Sequence, residues 1–228
     1  MFGKDKKQVK RVFVSCCSKN KPEWNMALSL QDAMSYAAKH GITTTFKPRI
    51  GESLICRARQ NDIPEFMQRN FDYLFSVDDD VVLPQNTIQR LVAHDKDIVA
   101  GVYRLKEDEP HTAVRIPKNG PKWPEILREG LLTPAIYVST GCMLIKRVVI
   151  ERMIKEYPEL EYRRNMHGDR CWAFYMPFVY RDEYLSEDWA FCQRACDTGF
   201  EVWVDGAIRC GHWGKKLYRF PDPEKDKS

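Results

Sequence analysis

The first 78 residues alternate in type, and that alternation limits the fold more than any other feature of the chain. The runs RVFVSCCS (11–18), ITTTFK (42–47) and DYLFSV (72–77) are β-branched or aromatic and short enough to be buried strands. Between them lie two stretches of helical character. Residues 23–41 carry apolar positions at Met26, Leu28, Leu30, Ala33, Met34 and Ala37 and close on Gly41. Residues 53–70 carry Ser53 as a cap and Pro64 as a bend or break. A β, α, β, α, β order predicts a mainly parallel sheet covered by helices, the first half of a Rossmann-like α/β domain. Ligands of such sheets sit beyond the carboxyl ends of the strands.

The third run ends there in three consecutive acids, Asp78, Asp79 and Asp80, before VVLP returns to apolar character. Adjacent carboxylates repel and are costly to bury unpaired, so something positive is expected beside them. If the strand stays extended, Asp78 and Asp80 share a side and Asp79 points away, which suits a pair gripping a divalent cation.

Further along, residues 85–94 read as a short helix and 97–104 as another strand. Residues 104–133 mix four prolines with charges and read as an excursion carrying a small hairpin at the edge of a substrate cleft. Residues 135–157 predict a strand, a Ser-Thr-Gly turn, a second apolar stretch and a helix over 146–157. The aromatic segment 158–185 reads as a long irregular lid or binding loop. A helix follows, with Ser186 as its cap and Gly199 as its stop, and then the alternating strand FEVWVD. The tail PDPEKDKS reads as disordered.

Composition excludes several classes. A chain of 228 residues with 43% hydrophobic and 30% charged residues is an ordinary globular domain, neither disordered nor membrane-embedded. No apolar run approaches the roughly 20 residues that span a bilayer, and the basic start precedes only a four-residue apolar stretch. The expectation is a cytoplasmic protein with neither signal peptide nor anchor, whose eight cysteines stay reduced. Cys192 and Cys196, four apart on a helix, lack the second matched pair of a zinc site and read as core thiols. The net charge of +4 fits an anionic small ligand and permits nucleic acid.

Two further motifs complete a constellation with the aspartates: Glu187 and Asp188 in the first turn of a helix, and His212 in CGHWG. Oxygen ligands with one imidazole favour Mn2+ or Mg2+ over zinc, and such a cation bridges phosphate. The order of CRARQND, FSVDDDVVLP, STGCMLIKR, SEDWAFCQRACDTGFEVWVD and CGHWG resembles the GT-A glycosyltransferases near glycosyltransferase family 2. That resemblance runs from about Val12 to Tyr218. It implies one GT-A domain over 1–228, with a nucleotide-binding half (10–103), an acceptor and catalytic half (104–218) and a flexible tail (219–228).

The resemblance also implies roles. Asp78 and Asp80 would hold the metal, with His212 completing its shell, and Asp78 and Asp79 would face the nucleotide. Asp188 would be the base of an inverting reaction, with Glu187 beside it. Ser15 and Ser18 fall where base and ribose lie, Arg59 and then Arg57 near the diphosphate, and Thr140 and Gly141 near the donor sugar. The donor would be a nucleoside diphosphate sugar, a UDP-sugar first among them. The acceptor would be a saccharide, a lipid-linked precursor, a protein or a hydroxymethylated base of viral DNA. A nucleotidyltransferase and a non-catalytic nucleotide-sugar binding protein are the competing readings. By itself each motif has a plainer one: Glu187 and Asp188 complement a helix dipole, the arginines are solvated, the Ser-Thr-Gly is a turn, and Trp172, Phe174 and Tyr175 are core.

Overall fold

The computed structural model describes residues 9–164 and 168–220. In chain order the elements are β1 (Lys10–Ser18), α1 (Trp24–Lys39), β2 (Ile42–Ile50), α2 (Ile55–Gln60), α3 (Asp62–Gln68), β3 (Tyr73–Asp78), β4 (Val81–Val82), α4 (Thr87–Ala93) and β5 (Ile98–Tyr103). They continue with α5 (Trp123–Glu129), β6 (Leu132–Ala135), β7 (Cys142–Lys146), α6 (Arg147–Glu156), β8 (Glu161–Arg163), β9 (Arg170–Trp172), β10 (Phe178–Tyr180), β11 (Glu183–Leu185), α7 (Glu187–Asp197), β12 (Val202–Trp213) and β13 (Leu217–Tyr218).

The main sheet has the order β13-β12-β5-β7-β3-β1-β2, with β4 and β6 also paired to β12. β1 is parallel to β2 and β3, and β5 to β12, as the alternation predicts. β7 runs antiparallel between β3 and β5, with Val77 opposite Cys142, and β4, β6 and β13 pair antiparallel with β12. The reversed direction of β7 brings the Thr140–Gly141 turn to the same edge as Asp78, where Asp78 N donates to Gly141 O at 3.3 Å.

Alternating side chains build a core on each face. Val12, Val14 and Phe75 pack with Met26, Leu30 and Ala33 of α1, whereas Phe13 and Leu74 face Phe66, Ile150 and Phe191. Burial on both faces is why the strand runs are continuously apolar. Among the described residues no helix is long and apolar enough to cross a membrane.

The local expectations need five corrections. The break in residues 53–70 falls at Asn61, so that Pro64 sits in the first turn of α3, where its missing N–H costs nothing. Ser53 is not the cap: Leu54 holds that position, and its N–H is taken by Glu52 Oε1 at 3.1 Å. The 104–133 excursion holds helix α5 and one bridge, Arg115 to Tyr137, instead of a hairpin. The strand expected from residue 135 lies earlier, at Leu132–Ala135. Segment 158–185 contains two small hairpins, β8-β9 and β10-β11, and its Phe174 and Tyr175 are buried core. The tail 221–228 and His167 lie outside the described residues.

β12 reaches the site only because it is bulged. Its pairing with β5 shifts between Val204 and Arg209. Asp205, fully buried in the bulge, accepts from Arg90 Nε at 2.6 Å and Ala207 N at 2.9 Å, and stands 2.6 Å from His94 Nε2. That anchor to α4 sets the direction in which the strand runs on to His212, which pairs opposite Val81 of β4.

Candidate active site

The carboxyl ends of β1, β3 and β5, the start of β7 and of α7, and the end of β12 meet at one edge of the sheet. The chain leaves extended geometry immediately after Asp78, with Asp79 and Asp80 in a turn. Strict alternation therefore lapses, and each acid is held by its own partners. Asp79 O accepts from Glu23 N at 2.8 Å, and Asp80 O from Trp213 N at 2.8 Å.

Arg59 answers the expectation of positive charge. It is 5% exposed and its guanidinium bridges Asp78 Oδ1 at 2.7 Å and Glu187 Oε1 at 2.9 Å, tying α2, β3 and α7 together. Burial alone would lower its pKa, but Asp78 and Glu187 outweigh burial and hold it protonated.

Asp80 has two partners, Lys106 Nζ on one oxygen and His212 Nε2 at 3.3 Å from the other. These hydrogen bonds overcome the opposing effect of burial and lower its pKa. His212 Nδ1 lies 2.8 Å from the Arg104 carbonyl. A carbonyl only accepts, so Nδ1 donates to it, which leaves Nε2 as the nitrogen aimed at Asp80. That is how a metal-binding imidazole is oriented.

Asp188 is half-buried at the first turn of α7. Its Oδ1 accepts from Ser186 Oγ at 2.5 Å and from Trp189 N at 2.8 Å, and Oδ2 makes no hydrogen bond among the described residues. Ser186 thus stands at the cap position but spends its hydroxyl on Asp188. Burial first, and then repulsion by Glu187, push the Asp188 carboxyl above the usual carboxylate range. Asp79 is raised as well, by burial and by Asp80 and Asp78.

Gly141 needs to be glycine. A Cβ there would stand 2.7 Å from the Tyr103 ring and 2.8 Å from Asp78 Oδ2, and closer still to the Tyr103 hydroxyl. Gly141→Ala is expected to displace Asp78 or Tyr103, at an overpacking cost of about 1–3 kcal/mol. Thermal unfolding should then give a lower Tm, and an unchanged Tm would disprove the tight fit.

Of the residues singled out in the sequence, Arg59, Asp78, Asp79, Asp80, Thr140, Gly141, Glu187, Asp188 and His212 come together at this edge. Ser15 and Arg57 do not join them. Ser15 lies inside β1 opposite Ser76, with its hydroxyl on the buried Asp62. Arg57 is exposed and held by Glu52 at 2.7 and 2.8 Å. Among the described residues no three His, Cys, Asp or Glu side chains form a ready metal cluster. Sequence reasoning missed Tyr103 and Lys106. Tyr103 ends a parallel strand, a position that marks ligand-facing residues, and its ring lies edge-on to His212 with centroids 5.0 Å apart. Lys106 carried no signal, because only the return of the β5 loop brings it to Asp80.

No family model and no curated protein matches the chain. Solved structures do. A197 from STIV superposes with a TM-score of 0.55 at 16% identity, over 93% of this chain and 95% of that one. S. aureus TarS 1-349 gives a TM-score of 0.46 at 11% identity, over 91% of this chain and 59% of that one. GalNAc-T7 with UDP, GalNAc and Mn2+ gives 0.46 at 10% identity, over 91% of this chain and 44% of that one. With its mixed, mainly parallel sheet flanked by helices and this likeness over nearly its whole length, the chain has the GT-A fold.

Proposed function

We infer that the protein is a glycosyltransferase that moves a sugar from a nucleoside diphosphate, a UDP-sugar first among the candidates, to a hydroxyl acceptor. The observation that carries this reading is a pair of buried donors beside Asp78 that have no partner among the described residues: Nε of Arg59, whose Nη2 bonds Asp78, and Oγ1 of Thr140, next to Gly141. An unmade hydrogen bond of this kind costs about 1–3 kcal/mol, so the two together ask for a ligand rich in acceptor oxygens. A diphosphate is such a ligand.

Asp80 and His212 fit a divalent cation shared with that ligand. They supply one carboxylate and one imidazole nitrogen, and Mg2+ or Mn2+ takes its remaining ligands from water and substrate phosphate. When bound, the cation would neutralise charge on the departing diphosphate. Arg59 keeps Asp78 and Glu187 fixed and adds positive charge at the same edge. Asp188 Oδ2, the free oxygen, takes the proton from the acceptor hydroxyl. The acceptor oxygen bonds to the anomeric carbon as the bond from that carbon to the diphosphate breaks, with inversion.

The test is hydrolysis of a panel of nucleotide-sugars by the purified protein with Mn2+, with and without chelator. Cleavage of one donor, lost on chelation, is the expected result. Failure to bind or cleave any nucleotide-sugar would overturn the reading.

A further inference from the structure

Arg59 and Lys106 both meet the carboxylates of the candidate active site, and they are held in opposite ways. Arg59 is 5% exposed, and its guanidinium is committed to Asp78 and Glu187 at once. The Lys106 side chain is 38% exposed and reaches Asp80 through a flexible four-carbon stem. One cation is part of the frame, and the other is free to leave.

The backbone that carries Lys106 is nonetheless fixed. Arg104 donates to the carbonyls of Glu107 and Asp108 at 3.2 and 2.7 Å and to that of Arg219 at 3.2 Å. Leu105 N donates to His111 O at 2.9 Å and closes a small loop over 104–111. The lysine stem lies along Gly214, where a Cβ would stand 3.0 Å from Cδ and 3.4 Å from Cγ. The ammonium is thus delivered from a rigid base to one oxygen of Asp80, while the other faces His212 Nε2 at 3.3 Å. Both oxygens of Asp80 have a partner within the chain.

A lysine–carboxylate pair near the surface adds little stability. This one matters because its carboxylate, with His212, is what fits a divalent cation. A cation on Asp80 would meet the ammonium at close range, and like charges in a half-buried site repel strongly. The ammonium, with three donors and no acceptor, finds other partners wherever phosphate oxygens are present.

We propose that Lys106 is a positioning residue that withholds Asp80 from a divalent cation until a diphosphate draws its ammonium away, so that cation and diphosphate bind as a pair. The coupling is reciprocal: whatever the diphosphate adds to cation affinity, the cation adds to diphosphate affinity. That the diphosphate belongs to a nucleotide-sugar rests on the glycosyltransferase reading; the exchange of partners at Asp80 does not.

The experiment is calorimetric titration of the full chain with Mn2+ alone and, separately, with inorganic diphosphate in the presence of chelator. Parent and Lys106→Met are compared, because methionine keeps an unbranched stem on Gly214 and loses the charge. Mn2+ should bind the variant at least about tenfold more tightly and inorganic diphosphate at least about tenfold more weakly, shifts within reach of one close unit charge. A lysine that merely braced the loop would weaken both. Lys216→Met removes an exposed lysine that pairs with Asp108 of the same loop at 3.3 Å, and it should move neither affinity. The proposal is overturned if both affinities move in one direction, if neither moves, if parent and variant both fail to bind Mn2+, or if Lys216→Met reproduces the shifts. Cleavage of a nucleotide-sugar together with unmoved affinities in Lys106→Met would remove the role of Lys106 and keep the transferase reading. Opposite shifts in a protein that neither binds nor cleaves any nucleotide-sugar would keep that role at a diphosphate site and remove the transferase reading.

Discussion

Asp188→Asn is expected to lower turnover by about 100-fold to 10,000-fold while leaving nucleotide-sugar affinity unchanged, the range that a positioned general base contributes. The amide is a clean replacement, because its oxygen can still accept from Ser186 Oγ and Trp189 N. What it lacks is the free carboxylate oxygen that takes a proton. In the parent protein, turnover should rise with pH through the raised pKa of Asp188 and then level off, and in the variant that limb should vanish.

The same substitution should make the ligand-free protein more stable. Burial and Glu187 raise the folded-state pKa of Asp188 above its unfolded value. The folded state therefore binds the proton more tightly, and stability falls as pH rises from about 4, the ordinary aspartate value, through the raised one. An amide has no proton to lose and escapes that fall. Thermal unfolding should give a higher Tm for the variant at pH 7, converging with the parent in acid. Full turnover in the variant would remove Asp188 from the mechanism.

Arg59→Ala should be the most damaging single change. It leaves the carboxylates of Asp78 and Glu187 facing each other without the guanidinium that now bridges them. Breaking a buried ion pair from one side costs about 3–5 kcal/mol, a large part of the roughly 5–15 kcal/mol by which a domain is stable. Urea unfolding should read this as a fall in midpoint, and adding Glu187→Gln should recover part of it. Arg59→Lys separates structure from binding. A single ammonium keeps the charge but lacks the planar fork that reaches two carboxylates and offers Nε to a ligand, so most of the stability should return without the donor affinity. A lysine variant with parental affinity would show that charge alone suffices.

Much of this site was legible along the chain because parallel α/β sheets place their ligands at strand ends. The apolar run 73–77 ending in three acids needed only that rule to become a site. The later Glu187-Asp188 turn and His212 were placed by resemblance to a family, and the sheet does bring them to the same edge. Ser15 failed to join them because a two-residue periodicity does not reveal where a strand ends. Its hydroxyl is inside the sheet, committed to Asp62. In CRARQND the resemblance put Arg59 ahead of Arg57, but no local pattern separates the two. One turn geometry sends Arg57 to Glu52 in solvent and buries Arg59 between two carboxylates.

The amino-acid sequence by itself determined the layered α/β class, the buried strands and the acidic edge, because these follow from local periodicity and from the cost of burying charge. Only the tertiary structure decided which acid meets which base. The antiparallel insertion of β7, the bulge that Asp205 locks into β12 and the return of Lys106 to Asp80 are contacts between residues far apart in the chain. Their geometry comes from how the finished sheet packs, and no local pattern encodes it. The cavity between α1 and β2 has the same origin: its lining comes from three separate stretches of the chain, and it lies open where β2 ends the sheet.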